Sequence, residues 1–472
     1  MEPLIAKNKA RLAGAARTAH GTSAMMGDIS GAYTWKTHIL VPVVTVFAIL
    51  SAGPLQAFPL YVRQLVDAGV FNWACDQGVR TCPEQEEALQ DLYTSTFSAQ
   101  MRFFILVGLA YDMYGARVAS CLGALTAGLC FVGLAFMSSL DSQAWPLTQR
   151  IVMYFCFLFA DLGGNLASYS LLGWMWHYPL LQTSFIGLSN AATQASGALG
   201  FVFDTLAEDG YTIVETFLVL AGLSLLSGLV FMLSCPTKRE TLTQAGRVLN
   251  THPTSLDVYS IVGWLAIKHS VKEAVGVFNL YPVQNTCMLL YISFFMAGVL
   301  TCFSGLEARY RALFDPDDAE SLLAAYAALM AVLGIGLNPA AGLLFDYFGF
   351  VNIFIFTSFL ALLVPLTLMV PIFWAQLLNI IFLVTWFSLF LNVISRYSVT
   401  FAPPDFFGTF TGFLTSLAGI AAYLADAILE QHSLISTAAL TMLVGWGFSV
   451  YLAVIMHRED GLPYKPPKNR FG

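Results

Sequence analysis

A short polar motif occurs twice in a chain that is otherwise strongly apolar. Its members are Gly108, Asp112, Gly115 and Arg117 in the first copy, and Gly342, Asp346 and Gly349 in the second. The glycines allow two helices to turn sharply and to pack closely. An aspartate beside the start of a helix meets the positive end of the helix dipole, which is worth about 0.3–1 kcal/mol. The motif therefore predicts a latch that holds one conformation and releases it readily.

Two charged residues, Arg102 and Asp161, are predicted to lie nearest to the middle of the membrane. Each follows the start of its apolar segment by a similar number of residues, so the two side chains should lie at similar depth. An ion pair would be the least costly way to keep both groups charged there. The alternative is a functional role, in which Arg102 receives a substrate carboxylate, or Asp161 receives an amino group or a proton.

Further polar residues recur on single faces of the apolar segments, and polar side chains inside a membrane are costly and often functional. The predicted substrate-binding residues are Gln56, Phe58, Arg102, Asp161, Asn165, Asn190, Gln194, Trp386 and Asn392. Their amides offer both donors and acceptors, and the two aromatic rings would cover an apolar part of the cargo. For any one amide, the alternative is a hydrogen bond that joins two helices.

The rest of the chain must build the elements that position these groups. Of its 472 residues, 57% are hydrophobic and 11% are charged, whereas soluble domains carry about 25% charged residues. This balance excludes a soluble enzyme and a disordered chain. A spanning helix needs about 20 apolar residues. Segments of that kind cover residues 38–60, 89–111, 118–139, 149–172, 183–206, 213–234, 286–308, 320–341, 351–371, 374–395, 405–428 and 435–456. The sequence therefore predicts an all-α polytopic membrane protein with twelve transmembrane helices in two pseudo-symmetric halves of six.

Lysine and arginine residues set the predicted orientation, because they are enriched on the cytoplasmic side of membrane proteins. With both termini in the cytoplasm, 16 of them lie in cytoplasmic segments and 4 in outer loops. The predicted parts are a cytoplasmic N-terminal segment (1–37), a first half (38–234), a cytoplasmic linker (235–285), a second half (286–456) and a cytoplasmic tail (457–472). Apolar residues at helical spacing in the linker favour a short helix against the cytoplasmic face, and a solvated linker is the alternative.

Several classes of function are disfavoured by what the sequence lacks. The net charge is −7 and no basic stripe occurs, so nucleic acid is not an expected partner. The cysteines and histidines do not have metal-binding spacing, and no catalytic motif is found. We therefore expect no metal, no cofactor and no enzymatic activity. Cys75 and Cys82 fall in the first predicted outer loop, where their spacing allows a disulfide.

The repeated motif, in register with twelve apolar segments, resembles the major facilitator superfamily, whose loop between the second and third helices has the pattern G-x-L-a-D-r-x-G-r-k. Met113 replaces the arginine that follows the aspartate, and the second copy lacks a final basic residue. A narrower resemblance is to the L-type, sodium-independent amino acid transporters and their protozoan relatives. It rests on FAPPDFFGTFTG (401–412) and LQAFPLYVR (55–63). Ala57 and Phe58 replace a glycine and a tryptophan of that family, and Asp405 stands one residue before the position of a histidine.

This resemblance implies a transporter that works by alternating access, with spans one, four, seven and ten around a central cavity. Its cargo would be an amino acid with a neutral or large side chain, carried without sodium through the plasma membrane by a monomeric unit. The expected partners are this small molecule and the lipid bilayer. The alternatives are a proton-coupled carrier of monocarboxylates or of another small metabolite, with Asp161 as the proton site, and a non-transporting receptor on the same fold.

Overall fold

The structure is a computed structural model, and it describes residues 39–55, 58–75, 81–178, 181–195, 197, 199–249, 264–429 and 434–458. Within these residues the regular structure is helical and no β-strand occurs. The helices are α1 (Ile39–Leu50), α2 (Phe58–Asp67), α3 (Pro83–Arg102), α4 (Ile105–Ser139), α5 (Pro146–Ser168), α6 (Gln182–Ala195), α7 (Leu199–Glu208), α8 (Ile213–Ser234), α9 (Lys238–Leu249), α10 (Trp264–Leu280), α11 (Pro282–Leu313), α12 (Pro316–Phe348), α13 (Phe350–Leu368), α14 (Phe373–Phe401), α15 (Phe407–Leu429) and α16 (Leu434–Arg458). Short 3₁₀ turns cover Asn72–Ala74 and Leu171–Trp174.

Nine helices in the described part of the chain are long and apolar enough to cross a membrane, namely α4, α5, α8 and α11 to α16. The protein is thus an all-α, multi-pass membrane protein. The other three predicted spans, the first, second and fifth, all belong to the first half. The first and second are each divided between two helices. The fifth contains α6 and α7, and residues 196 and 198 between them lie outside the described part of the chain. Residues 51–55 between α1 and α2 are not α-helical, and a turn at 103–104 separates α3 from α4. Hydropathy does not reveal such divisions, because it reports apolar length and not backbone continuity.

The last glycine of each motif copy ends one span and starts the next. Gly115 has φ 76° and ψ 169°, which places a sharp turn inside α4. Gly349 has φ 82° and separates α12 from α13. Glycine adopts this backbone conformation without the steric penalty that a Cβ atom would bring. As a result, α4 contains both the end of the second predicted span and the whole of the third.

Each half of the chain has its own apolar core. In the first half the buried aromatic residues are Phe58, Tyr61, Phe131, Phe157 and Phe217. In the second half they are Tyr291, Phe295, Trp386 and Phe390. Large apolar side chains also lie on the outer surface, where Leu233 is 75% and Trp374 is 72% exposed. An outer surface of this kind is typical of helices that face lipid.

Several pairs of helices join the halves, including α3 with α15 and α6 with α14, and two contacts are the most extensive. α4 of the first half packs against α15 of the second, and α6 of the first half packs against α12 of the second. Both contacts lie beside the repeated motif. We call this end of the molecule, which carries Asp112 and Asp346, the aspartate end.

The predicted linker contains two helices, α9 and α10, so a helix at the expected residues is confirmed, while its position on the cytoplasmic face stays a prediction. α9 packs against α4 and against the 3₁₀ turn Leu171–Trp174. α10 packs against α4, α11 and α15, with the rings of His269 and Phe406 stacked 5.6 Å apart. The linker helices therefore lie at the aspartate end, where the halves meet.

The loop between α2 and α3 lies at the other end of the molecule and contains a disulfide. Cys75 and Cys82 are bonded, with their Cα atoms 5.7 Å apart. The side chain of Gln85 in the first turn of α3 donates a hydrogen bond to the carbonyl oxygen of Val70 (2.7 Å). The disulfide and this hydrogen bond together anchor the loop to the start of α3.

Candidate functional site

The first latch is the contact between Asp112 and the start of α15. The Asp112 carboxylate accepts hydrogen bonds from the backbone N–H groups of Gly408 (3.0 Å) and Thr409. These first-turn N–H groups have no partner within their helix and carry the positive end of its dipole. Asp112 is only 5% exposed. The contact therefore joins a buried carboxylate of the first half to a helix of the second.

Glycines allow this contact, because the backbones of α4 and α15 touch. A Cβ atom on Gly108 would overlap the carbonyl oxygen of Gly408. A Cβ atom on Gly412 would lie 2.8 Å from the Cα atom of Ile105, which is closer than carbon atoms pack. A larger side chain at either position would separate the helices. Asp112 would then move away from the N–H groups of Gly408 and Thr409, from which it accepts hydrogen bonds.

The second latch repeats this arrangement with the halves exchanged. Asp346 of α12 accepts hydrogen bonds at the start of α6, from the hydroxyl of Thr183 (2.6 Å) and the N–H of Ser184 (3.2 Å). The N–H of Thr183 (3.4 Å) and the hydroxyl of Ser184 (3.2 Å) also donate to it. A Cβ atom on Gly342 would overlap the carbonyl oxygen of Thr183. The motif therefore forms the same kind of contact in both copies.

The second latch also has a basic residue near it, although its motif copy ends without one. Arg396 of α14 lies close enough to Asp346 for their charges to interact. Its guanidinium donates to the side-chain oxygen of Gln182 (3.5 Å), immediately before the residues that bind Asp346. A different helix thus supplies the positive charge that the motif itself lacks.

Two charged residues at the start of α9, Lys238 and Glu240, lie close to the first motif copy on α4. Arg117 donates to the carbonyl oxygen of Cys235 (2.6 Å) and lies 3.8 Å from the carboxylate of Glu240. Burial raises the pKa of Glu240, but hydrogen bonds from Thr237 and the charges of Arg117 and His177 lower it further than burial raises it. Glu240 is therefore ionised at neutral pH and keeps its attraction for Arg117.

Lys238, two residues earlier, extends this group of charges toward the latch itself. Its ammonium donates to the carbonyl oxygen of Met113 (3.4 Å). Burial lowers the pKa of Lys238, and the charges of Asp112 and Asp405 act in the opposite direction. The start of α9 thus brings a cation next to the latch carboxylate.

A buried carboxylate lies where the first span is interrupted. Asp161 of α5 is 2% exposed and accepts hydrogen bonds from the side chain of Asn165 (3.2 Å) and the backbone N–H of Leu55. Asp161 also packs against Gly53, where a Cβ atom would overlap the carboxylate. A Cβ atom on Gly164 would overlap the backbone of Gly53. We call Asp161, Asn165 and residues 53–55 the carboxylate cluster.

Four neutral side chains form a second cluster between the halves. The Gln194 side-chain oxygen accepts hydrogen bonds from Asn338 (2.9 Å) and from the hydroxyl of Ser388 (3.1 Å). Asn392 donates to the side-chain oxygen of Asn338 (2.8 Å). Each of these side chains is 2% exposed or less. We call Gln194, Asn338, Ser388 and Asn392 the amide cluster.

Polar atoms in and near the amide cluster are buried without a partner. Among the described residues, no group hydrogen-bonds to the side-chain nitrogens of Asn190, Gln194 and Trp386, or to the side-chain oxygen of Asn392. Leaving such a group unpaired costs about 1–3 kcal/mol. Three donors and one acceptor are therefore buried without a hydrogen-bond partner at this place between the halves.

No protein-family model and no curated protein matches the chain. Solved structures do match it. A double-tryptophan mutant of XylE has a TM-score of 0.64 at 13% identity, over 92% of this chain and 97% of that one. The proton:xylose symporter XylE bound to 6-bromo-6-deoxy-D-glucose has a TM-score of 0.63 at 14% identity, over 91% and 96%. The human organic anion transporter MFSD10 (TETRAN) has a TM-score of 0.54 at 15% identity, over 88% and 98%.

The chain has the major facilitator fold.

Within this facilitator fold, the predicted ion pair between Arg102 and Asp161 is wrong. Arg102 ends α3, donates to the carbonyl oxygen of Ser98 (3.2 Å) and lies over the ring of Tyr423, with 4.7 Å between guanidinium carbon and ring centroid. Asp161 faces the interruption of the first span instead. Sequence spacing predicts how deep a residue lies, but not the direction in which its side chain points.

The two aromatic residues that were predicted to cover cargo lie inside the cores of the two halves. Phe58 is fully buried and stacks on Tyr93, with ring centroids 4.9 Å apart. Trp386 is also fully buried and stacks on Phe390 (5.3 Å), although its indole nitrogen has no partner within the described residues. Gln56, the other candidate in the first span, lies outside the described residues.

Sequence reasoning missed several residues of the two clusters and latches. Asn338, at the centre of the amide cluster, was not among the candidates, although an Asn-Pro pair inside an apolar span is a detectable signal. Thr183 and Ser184 were missed as well. They begin a segment, TSFIG (183–187), that parallels GTFTG (408–412) in the other half. A comparison of the two halves for a second repeat would have identified both segments, whose first residues are the hydrogen-bond donors to Asp346 and Asp112.

Proposed function

We propose that the protein is an alternating-access transporter, and that its cargo is an amino acid carried without sodium. The proposal is supported mainly by one observation, that two equivalent and separable contacts hold the halves together at the aspartate end. The similar solved structures include a proton:xylose symporter and an organic anion transporter. Their identity to this chain is too low to assign a cargo.

The latches have the energetics that a reversible gate needs. A hydrogen bond to a charged group is worth about 1.5–3 kcal/mol, and the cost of burying the carboxylate offsets part of this. Each latch is therefore worth a few kcal/mol at most. Parting both would open the aspartate end, and closing them again would need no covalent change.

The two clusters supply complementary groups for a zwitterion. An ammonium group needs an anionic acceptor, and Asp161 is a buried carboxylate whose hydrogen-bonding partners, Asn165 and Leu55, are neutral. A carboxylate needs N–H donors, and the unpartnered nitrogens of Asn190, Gln194 and Trp386 are such donors. Rearrangement of the halves during transport would bring the two clusters to one cargo molecule.

The test is exchange of radiolabelled neutral amino acids by the purified protein in liposomes. We expect saturable exchange that is unchanged when choline replaces sodium. Asp161→Asn should raise the half-saturating concentration at least about tenfold, since it removes the charge that binds the ammonium group. Asp141→Asn, at an exposed aspartate in a loop at the other end, serves as the control and should leave exchange unchanged. A folded protein that exchanges no amino acid contradicts the proposed cargo.

A second cargo class, a neutral polyhydroxylated solute, is favoured by the amide cluster. That cluster contains no charged side chain, and amides exchange hydrogen bonds with hydroxyl groups as both donors and acceptors. Xylose and glucose in the same liposomes distinguish the two classes. Sugar exchange that survives Asp161→Asn but is lost with Asn338→Leu would favour the polyhydroxylated solute.

A further inference from the structure

Two cysteines meet between neighbouring spans of the first half. Cys130 of α4 and Cys156 of α5 are free cysteines whose thiols hydrogen-bond to each other. A Cβ atom on Gly133, one turn from Cys130, would lie 2.7 Å from the sulfur of Cys156. That sulfur therefore lies directly against the backbone of α4. Neither cysteine belongs to a latch or to one of the two clusters.

The packing of α4 and α5 keeps these two thiols together. The helices are consecutive and antiparallel, and a Cβ atom on Gly123 would lie 2.5 Å from the carbonyl oxygen of Gly163. About two turns lead from Gly123 to Cys130 along α4, and the same distance leads from Gly163 back to Cys156 along α5. The cysteines thus face each other in the register that the touching glycines set. Because both helices belong to the same half, their thiols stay together when the latches open.

The thiol pair borders the lipid. Both cysteines are partly exposed, and next to them Leu129 is 68% exposed and Phe155 is 50% exposed. Cys156 lies about 15 Å along α5 from its first residue, and Cys130 lies about 14 Å along α4 from its last residue. Both helices are candidate spans, and the hydrocarbon core of a bilayer is about 30 Å thick. The pair is therefore open to reactants that dissolve in hydrocarbon and shielded from those that stay in water.

A thiol in this setting should react as the neutral S–H group. Ordinary thiol oxidation begins from the thiolate, and an isolated charge is costly in an apolar environment. Loss of a hydrogen atom creates no charge, so it carries no such cost. Peroxyl radicals of unsaturated lipids take hydrogen atoms from weak bonds, and they arise in the phase that the pair borders.

We propose that Cys130 and Cys156 are a modification site for lipid peroxyl radicals, which convert the pair to a disulfide. Each of two peroxyl radicals takes one hydrogen atom, so that an S–H bond breaks and an O–H bond forms. The two sulfur radicals then combine in an S–S bond. The sulfurs are oxidised, and the two peroxyl radicals are reduced to two lipid hydroperoxides. A lone thiol lacks the neighbour that the second step needs.

Peptide mapping of the full chain in liposomes tests this proposal. The liposomes contain a polyunsaturated phosphatidylcholine, and a lipid-soluble azo initiator starts peroxidation in air. Remaining thiols are blocked with a maleimide before digestion without reductant. We expect a pair of peptides joined through Cys130 and Cys156 and released by a reductant, with the Cys75–Cys82 disulfide as the internal standard. A chain-breaking phenol dissolved in the membrane should prevent the new disulfide.

Cys121 provides a matched control, since it is a partly exposed free cysteine on the same helix as Cys130. In the wild type it should stay mainly a thiol, and Cys121→Ser should leave the joined peptides unchanged. Cys156→Ser should lower the loss of the Cys130 thiol at least about tenfold, because the second sulfur is no longer held beside the first. Cys130→Ser, scored at Cys156, makes the same comparison if Cys156→Ser does not fold.

Three results would overturn the proposal. Intact thiols at both positions after the phospholipid has peroxidised would show that the pair does not react with lipid radicals. Equal formation of the disulfide by aqueous hydrogen peroxide without initiator would show ordinary oxidation from water. Equal loss of the Cys121 and Cys130 thiols would show that single thiols react and that their pairing has no role.

Discussion

Asp112 and Asp346 occupy equivalent positions in the two motif copies, but their surroundings differ. Asp112 accepts from two backbone N–H groups and has Lys238 nearby. Asp346 accepts from the N–H and hydroxyl groups of Thr183 and Ser184. The motif alone favours a weaker second latch, because no basic residue ends that copy. In the structure, hydroxyls and a neighbouring arginine take the place of the missing residue, so we predict a second latch at least as strong as the first.

We expect Asp112→Ala to slow exchange about tenfold at unchanged expression, because about 1.4 kcal/mol of stabilisation of the closed aspartate end is lost. Asp346→Ala should slow exchange at least as much, since it leaves four donors without their acceptor. Asp141→Ala is the control, because that carboxylate is exposed in a loop at the other end. Turnover at the wild-type rate in both latch variants would show that the motif only forms a turn.

Neutralising Arg102 and neutralising Asp161 should change the stability of the protein independently, because the two side chains do not contact each other. A structural pair would make the double variant Arg102→Met with Asp161→Leu more stable than either single variant. We expect instead that the changes in stability add to within about 0.5 kcal/mol. Thermal stability of the three variants in detergent measures this. Recovery of stability and exchange in the double variant would restore the ion-pair interpretation.

At the scale of elements, α12 contains glycines in two different settings. A Cβ atom on Gly342 would overlap the backbone of α6, whereas one on Gly336, less than two turns away, would meet no atom within 4 Å. The same helix therefore carries a glycine that the contact between the halves requires and one that it does not. This pair allows a test of close helix packing in which helix propensity is matched.

We expect Gly342→Ala to separate α12 from α6 and to reduce exchange about as much as loss of Asp346 does. Gly336→Ala should leave exchange unchanged and stabilise the helix by up to about 1 kcal/mol, because alanine is the better helix former. Exchange in liposomes and thermal stability measure the two effects. Similar behaviour of the two variants would contradict the role of close packing.

The elements also mark the limit of prediction from sequence. The span predicted at 213–234 coincides with α8, because the bilayer fixes the length of an apolar segment that crosses it. The turn at 103–104 and the non-helical residues 51–55 were not predicted. The partners of Asp112 and Asp346 were not predicted either. These depend on which helix of the opposite half lies alongside, and one-dimensional periodicity does not contain that information.

At the scale of the whole molecule, the predicted orientation rests on the distribution of lysine and arginine. Tags at either terminus and within 235–285 should be accessible only from the cytoplasm, and a tag near residue 78 only from outside. Protease protection in sealed vesicles distinguishes the two sides. A C-terminal tag that is accessible from outside would contradict an even number of crossings.

The divided spans of the first half have a consequence for how the molecule exchanges its amide hydrogens. The N–H groups of Ala52 and Phe104 donate to carbonyl oxygens three residues back, as in a 3₁₀ turn, whereas α13 and α14 are continuous helices. Local opening should therefore be concentrated in the first half. In deuterated buffer, we expect peptides that contain 51–55 and 103–104 to label within about minutes, and peptides of α13 and α14 to stay protonated for roughly hours. Equal labelling of the two halves would contradict this. Faster labelling of the first half would mean that this half deforms at its interruptions during transport, while the second half moves as one rigid body.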